Sequence, residues 1–183
     1  MVAATRIRRA VKCAILMTLL QFAHSSYIRD YEDISKFYTR GAQIRTVYTT
    51  MGETECKYDK VTASSAQKTE FKRYFYSNAT KLEPLDLVGK YVNDRHLFQP
   101  AEFDAMDVKK RNGGPYSFER LFVASDKYRC GVFFVSKHIN KGGNNYELRI
   151  KEGATPDQHC LKKFERYSRA PGVKKPVPCK HIR

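Results

Sequence analysis

One stretch of the sequence, Cys130 to Cys160, constrains the fold more than any other part of the chain. It contains two runs rich in β-branched and aromatic residues, Cys130 to Val135 and Tyr146 to Lys151, separated by a Gly- and Asn-rich turn. Thr155 and Pro156 follow, and this pair is typical of an N-cap and a first helical residue. Because a cysteine opens the first run and another lies in the helix, the simplest interpretation is a β-hairpin and a helix joined by a disulfide.

The first 25 residues have the pattern of a secretion signal. Four cations between Arg6 and Lys12 precede an apolar run from Cys13 to Ala23, which is too short to span a bilayer. We expect cleavage after Ser25, with Ala23 as the second choice; a buried N-terminal helix is the alternative. The sequence therefore predicts a signal peptide at 1–25 and one secreted domain at 26–183.

Cysteine usage and one glycosylation motif agree with secretion. Loss of the signal removes Cys13 and leaves four cysteines, an even number that predicts two disulfides with three possible connectivities. Asn78 begins the motif Asn-Ala-Thr, an acceptor for N-linked glycan, so this segment is expected at the surface.

The remaining chain reads as a short helix, eight strands and a second helix. Helical spacing from Tyr27 to Tyr38 predicts the first helix, which Gly41 ends. Short strands joined by tight turns favour an all-β fold, either a closed eight-stranded antiparallel barrel with room for one small ligand or a sandwich. The predicted strands are Gln43–Thr50, Thr54–Val61, Lys68–Ser77, Leu82–Val92, His96–Asp104, Tyr116–Ala124, Cys130–Val135 and Tyr146–Lys151.

The charge of the chain is strongly basic and is concentrated near the C-terminus. The formal net charge is +15, and removal of the four signal cations leaves +11. Between Lys162 and Arg183 there are eight Lys or Arg residues and one acid, Glu165. Together with Lys109 to Arg111, this segment is suited either to heparin-like glycans, anionic membranes or host proteins, or to a solubilising surface without a partner. Secretion argues against nucleic acid as a partner.

Three features together point to a known family: the run Cys130-Gly131-Val132-Phe133-Phe134-Val135, the Tyr146-Glu147-Leu148 strand, and cysteines at positions 56, 160 and 179. In these features the chain resembles the salivary lipocalins of ticks, the group that includes the histamine-binding proteins. The resemblance implies an eight-stranded antiparallel lipocalin-type barrel with a short N-terminal helix and a C-terminal helix packed outside. It also implies the disulfide pairs Cys56–Cys179 and Cys130–Cys160. The expected protein is a secreted monomer without a cofactor that captures a small host mediator.

The sequence contains no catalytic motif. It has no His-Glu-x-x-His, no Gly-x-Ser-x-Gly and no phosphate-binding loop, so we expect a binding protein and no enzyme. His159-Cys160 and Cys179-x-His181 have a spacing that a metal site uses, but cysteines of a secreted chain are expected in disulfides.

The ligand prediction begins with Glu147, which the resemblance places in the pocket as a carboxylate for an amine. The alternative for Glu147 is a solvent-facing residue that alternates with Arg149 and Lys151. For the aromatic candidates the alternative is ordinary core packing, and for the acidic candidates it is solvent exposure. Besides Glu147, the candidate ligand-binding residues are Tyr146, Phe118, Phe122, Phe133, Glu119 and Arg120, with Asp104 and Glu70 as further carboxylates. A fatty-acid-derived mediator such as a leukotriene or thromboxane would instead need a cation, for which Arg45, Arg73 and Arg120 are the candidates.

Overall fold

The computed structural model describes residues 32–76, 83–94, 103–137 and 143–180. The predicted signal peptide, Asn78 and most of the predicted strand His96–Asp104 lie outside these residues. No helix in the described part of the chain is long and apolar enough to cross a membrane.

Strands make up most of the regular secondary structure in the described chain. The first helix, α1, is Ile34–Phe37, and the second, α2, is Gln158–Ser168. The strands are β1 Gln43–Thr49, β2 Lys57–Ser64, β3 Lys68–Phe75, β4 Leu85–Val92, β5 Ala105–Lys110, β6 Pro115–Ala124, β7 Cys130–Ser136, β8 Tyr146–Lys151 and β9 Val177–Pro178.

Strands β1 to β8 form a closed antiparallel barrel. Each strand pairs with the next along the chain, and β1 closes the barrel because it pairs with both β2 and β8. Ile44 shows this directly, since it lies opposite Asp59 on one side and Lys151 on the other. The two-residue strand β9 adds outside this closure, against the end of β1. The prediction of an eight-stranded barrel with a helix before and after it is confirmed.

Two details of the predicted helices are wrong. The second helix is capped by Asp157 rather than Thr155, because the Asp157 carboxylate accepts a 2.8 Å hydrogen bond from the backbone N–H of Cys160. The first helix begins at Ile34, and the carboxylate of Asp33 accepts a 3.0 Å hydrogen bond from the backbone N–H of Ser35. Asp33, inside the predicted helix, is therefore its N-cap, and residues 27–31 of the predicted helix lie outside the described residues.

The fifth strand also differs from the prediction. It begins at Ala105, directly after the segment His96–Asp104 that was expected to form it. Met106 and Val108 point into the barrel and are buried, whereas Asp107 and the two lysines that follow are exposed. Three of the six residues of this strand are charged, and they hide the alternation of its buried side chains from a sequence pattern.

Apolar side chains form two separate clusters. One fills the barrel end that α1 covers, where the ring of Phe37 meets the edge of Phe133 at 5.0 Å between centroids. The other lies between the outer barrel wall and α2, where Phe164 stacks on Tyr48 at 5.9 Å. Burial of each such ring contributes roughly 1.5–3 kcal/mol, so both helices are held mainly by apolar contact.

Both predicted disulfides are present. Cys130–Cys160 joins the start of β7 to α2, with the Cα atoms 6.4 Å apart. Cys56–Cys179 joins the turn before β2 to the C-terminal tail, with the Cα atoms 5.4 Å apart. The pairing implied by the family resemblance is therefore confirmed, and it explains why the Pro-rich tail lies against β1.

Candidate ligand site inside the barrel

Among the described residues, six charged side chains with almost no solvent exposure point into the barrel from four strands. They are Lys57 and Asp59 on β2, Arg73 on β3, Glu119 on β6, and Glu147 and Arg149 on β8, and none is more than 3 % exposed. We call these six residues the interior charge network. Three are cations and three are anions, so the network is formally neutral.

The network is a chain of alternating charges. Its order is Lys57, Glu147, Arg149, Glu119, Arg73 and Asp59. Arg73 forms a bidentate pair with Asp59, with both N···O distances at 2.7 Å, and its third donor reaches Glu119 at 2.8 Å. Arg149 Nε donates to Glu147 at 2.8 Å, and Arg149 Nη1 donates to Glu119. Such planar forks hold the four central residues in fixed positions.

Tyr38 connects this network to the apolar end of the barrel. Directly after α1, its ring packs against Phe71 and Phe133, and its hydroxyl donates to Asp59 at 2.9 Å. The same oxygen accepts a 2.6 Å hydrogen bond from Arg149. The guanidinium of Arg149 also lies 4.5 Å from the centroid of the Phe133 ring, a cation–π contact. The barrel interior thus has an apolar tier next to α1 and a charged tier further from it.

The charges of the network reinforce one another against the cost of burial. Burial raises the pKa of Glu119, but Arg149 and Arg73 outweigh it and hold that pKa well below its usual range. For Glu147, burial likewise raises the pKa, but Lys57 and Arg149 outweigh burial and hold that pKa below its usual value. Burial lowers the pKa of both arginines, yet the facing carboxylates raise it well above its usual value. The carboxylates of Glu119 and Glu147 and both guanidiniums are therefore ionised at neutral pH.

Lys57 is the exception in this network. Burial lowers the pKa of its ammonium, and the opposing effect of Glu147 is too small to restore it. Among the described residues Lys57 ion-pairs with Glu147 alone, whereas each arginine bridges two carboxylates. Lys57 is also the first residue of β2, opposite Phe75 at the barrel end away from α1. Its ammonium is thus the most weakly held cation of the network.

The structure separates the predicted ligand residues into two groups. Glu147, Glu119 and Phe133 lie together in the barrel interior, so the alternative of a solvent-facing Glu147 is wrong. The other predicted residues lie on the outer wall beside α2 and are Tyr146, Phe118, Phe122 and Arg120. There Tyr167 of α2 stacks on Tyr146 at 5.5 Å, and the Arg120 guanidinium lies 5.6 Å from the Phe118 ring.

The further candidate cations and carboxylates are likewise divided between the interior and the outer surface of the barrel. Arg73 lies in the network, whereas Arg45 faces outward from β1. Asp104 is buried near the α1 end and accepts a 2.7 Å hydrogen bond from the N–H of Asp94. Glu70 is on the surface, where it pairs with Lys68 and Arg111 at 2.9 and 2.7 Å.

Sequence reasoning missed Lys57, Asp59 and Tyr38, and it placed Arg149 in solvent. The signal was present as strand parity, because Lys57 and Asp59 precede the core residue Val61 at steps of two. Charges at two successive positions ordinarily indicate a solvent-facing side, so the period of two alone does not identify this face of β2 as buried. The compensating charge comes from strands far away in sequence.

The metal alternative finds no support in the cysteines. Cys160 and Cys179 belong to different disulfides, and His159 is exposed on α2. Within residues 32–76, 83–94, 103–137 and 143–180, no three His, Cys, Asp or Glu side chains are grouped as metal ligands. His181 lies outside the described residues.

Comparison with known proteins identifies the architecture. No family model and no curated protein sequence matches the chain. Among solved structures it is similar to lobster apocrustacyanin A1, with a TM-score of 0.53, 10% identity and coverage of 88% of this chain and 83% of the other. The siderocalin Ex-FABP gives a TM-score of 0.54 at 9% identity, covering 78% and 95% of the two chains. The bovine lipocalin allergen Bos d 2 gives 0.51 at 14% identity, covering 80% and 94%. With its closed eight-stranded barrel and outer C-terminal helix, the chain has the lipocalin fold.

Proposed function

We propose that this protein is a secreted lipocalin of the tick salivary type that captures a biogenic amine such as histamine or serotonin and so helps evade host defence. One observation carries the proposal: the Glu147 carboxylate, fully buried in the barrel, holds the alkylammonium of Lys57. The proposed site thus accepts a primary ammonium, the group that Lys57 presents to Glu147 in this structure.

Exchange of ammonium groups conserves the charge of the interior. A ligand amine that enters from the barrel end away from α1 would replace Lys57 Nζ on Glu147 while the flexible lysine stem turns outward. The network stays neutral throughout, so no uncompensated charge is buried. Arg149 keeps Glu147 in position during the exchange, because it donates to the second carboxylate oxygen. Thr49 Oγ1, 3.5 Å from the same carboxylate, adds a hydroxyl beside the ligand position.

Calorimetric titration of the refolded mature protein tests this proposal. We expect one equivalent of histamine or serotonin to bind with little dependence on salt, since the ion pair is buried. Glu147→Gln should abolish binding, whereas Glu70→Gln, an equal change on the outer surface, should leave it intact. Stoichiometric binding that survives Glu147→Gln would contradict the assignment of the site.

A fatty-acid-derived mediator is the second candidate for the barrel. It is favoured by the position of Lys57, a terminal cation with one carboxylate partner among the described residues. A ligand carboxylate would bind Lys57 and leave Glu147 to Arg149, but it would add one negative charge to a neutral interior. Leukotriene B4 and a thromboxane analogue belong in the same titration series, where binding of these and not of amines would reverse the order of the candidates.

A basic stripe on α2 supports polyanion binding as a further candidate. Lys162, Arg166 and Arg169 are exposed on the outer side of this helix, and the exposed Lys174 and Lys175 follow it. Charge of this kind binds heparin-like glycans through screened interactions. Heparin titrated in parallel at low and physiological salt distinguishes the two classes, because only binding to the stripe should weaken steeply with salt.

A further inference from the structure

A pocket lies on the outside of the barrel wall, behind the interior charge network. It has a volume of about 400 Å³ and is open to solvent, and it is lined by Gln43, Arg45, Tyr58, Tyr74, Tyr76 and Glu152. This volume falls within the ~300–1,000 Å³ typical of small-molecule sites. We call it the outer tyrosine pocket.

Strand register builds this pocket from three neighbouring strands. Arg45 of β1 lies opposite Tyr58 of β2, and Tyr58 lies opposite Tyr74 of β3. These residues alternate with the inward-facing Ile44, Asp59 and Arg73, so their side chains stand on the outer face. A substitution in the outer tyrosine pocket therefore leaves the barrel interior untouched.

Aromatic rings form the wall of the pocket. The ring centroids of Tyr58 and Tyr74 are 5.7 Å apart, and the ring planes make an angle of 49°. Both rings line the outer tyrosine pocket. The Tyr58 hydroxyl donates to the side-chain oxygen of Gln43, which fixes its ring. Burial raises the pKa of Tyr76 to about 12, so this phenol is neutral at physiological pH. Neutral phenol faces attract ammonium groups through cation–π contacts.

The two charges of the pocket act at different places. Besides burial, the Glu152 carboxylate raises the pKa of Tyr58, whereas Arg45 acts to lower that of Tyr76. Glu152 lies beside Gln43, because its N–H donates to the Gln43 carbonyl at 2.8 Å. The pocket thus has an acidic end at Gln43 and Glu152 and a basic end at Arg45 and Tyr76, with tyrosine rings between them.

We propose that the outer tyrosine pocket binds a zwitterion of the phosphocholine type, with the quaternary ammonium against the tyrosine faces and Glu152, and the phosphate on Arg45. Among the described lining residues Arg45 and Glu152 balance in charge, and separated charges of this kind disfavour a simple anion or a simple cation relative to a ligand that carries both. Guanidinium is the side chain best suited to phosphate, and aromatic faces are suited to a quaternary ammonium that has no N–H to donate. Free phosphocholine and the headgroup of a choline phospholipid share this chemistry.

The test is a titration of the intact mature protein with phosphocholine, choline and inorganic phosphate as separate probes. Tyrosine fluorescence reports binding directly, because the chain contains no Trp. We expect saturable binding of phosphocholine and weaker binding of choline or phosphate alone. Loss of one ring face in Tyr74→Leu should weaken phosphocholine about 2- to 30-fold, the range of a single cation–π contact.

Two charge variants separate the ends of the pocket. Arg45→Gln should weaken phosphocholine and phosphate and spare choline, whereas Glu152→Gln should weaken phosphocholine and choline and spare phosphate. Lys90→Gln, an exposed change on β4 away from the pocket, is the control and should alter none of them. Equal affinities in wild type, Arg45→Gln and Glu152→Gln, or absence of saturable phosphocholine binding, would overturn the proposal.

Two further comparisons identify the ligand source and keep this site distinct from the barrel. Cosedimentation with phosphatidylcholine vesicles that requires Tyr74 assigns a lipid headgroup, and binding of free phosphocholine without cosedimentation assigns the soluble form. Glu147→Gln should leave phosphocholine binding unchanged. Failure of the outer tyrosine pocket and failure of the amine site are therefore separate results.

Discussion

Replacement of Glu119 by Gln should reveal how strongly the interior charge network depends on its balance. Glu119 is fully buried and accepts hydrogen bonds from Arg73 and Arg149 through different oxygens, and from Ser117 Oγ at 3.0 Å. Glutamine keeps the shape of the side chain but removes the charge between two guanidiniums. The network then holds three cations and two anions in a closed interior.

The magnitude follows from the cost of an unbalanced buried charge. Removal of one partner from a buried ion pair typically costs about 3–5 kcal/mol. Asp59 and Glu147 still face the two arginines, which limits the loss to the lower part of this range. We therefore expect the free energy of unfolding of Glu119→Gln to fall by about 3 kcal/mol, which is a decrease in Tm of roughly 6–12 °C for a domain of this size.

Urea unfolding followed by far-UV circular dichroism, with the disulfides intact, measures this loss. Glu70→Gln is the matched control, because Glu70 also pairs with two cations but lies at the surface. The control should keep nearly the stability of the wild type, because exposed ion pairs contribute little. Equal m-values in all three proteins would show that the loss belongs to the folded state. A Glu119→Gln variant within 1 kcal/mol of wild type would refute the reasoning.

Three further predictions follow from the same structure. Folding lowers the pKa values of the buried glutamates, so the free energy of unfolding should be at its full value above about pH 5 and should fall as the pH drops below about 4.3. Urea unfolding measured at a series of acid pH values should show this fall, and its slope should be smaller in Glu119→Gln. Gly131→Ala should cost about 1–3 kcal/mol in urea unfolding, since its new Cβ would lie 2.9 Å from both Leu121 Cδ1 and Phe37 Cε2. Joint replacement of Cys56 and Cys179 by Ala should cost roughly 4–5 kcal/mol from the loop of 123 residues, and limited proteolysis should then cut the tail first.

The fold was predictable from sequence because local patterns and the global architecture agree. The hairpin at Cys130 to Cys160 and the spacing of the other strands indicated the barrel, and the family resemblance implied both disulfides. The fifth strand was predicted too early in the sequence, because the outward charges of Ala105–Lys110 hide its two inward apolar residues, Met106 and Val108.

The candidate site was harder to predict, because its charges are compensated across the barrel. Glu147 was identified as a candidate, but nothing near it in sequence indicates that Lys57, 90 residues away, supplies its cation. Strand parity alone leaves the inward face undecided when both faces carry rings and charges, as on β6 with Phe118 and Glu119. Only closure of the barrel decides which of these residues face one another.

The central claim is that the Lys57 ammonium occupies an amine site on Glu147. The most direct test is calorimetric titration of histamine into Lys57→Met, with Lys60→Met on the exposed face of the same strand as control. Removal of the competing ammonium leaves Glu147 with Arg149 alone, so histamine should bind Lys57→Met at least about tenfold more tightly than wild type, a gain of 1.4 kcal/mol. Unchanged or weaker histamine binding in Lys57→Met would contradict the account.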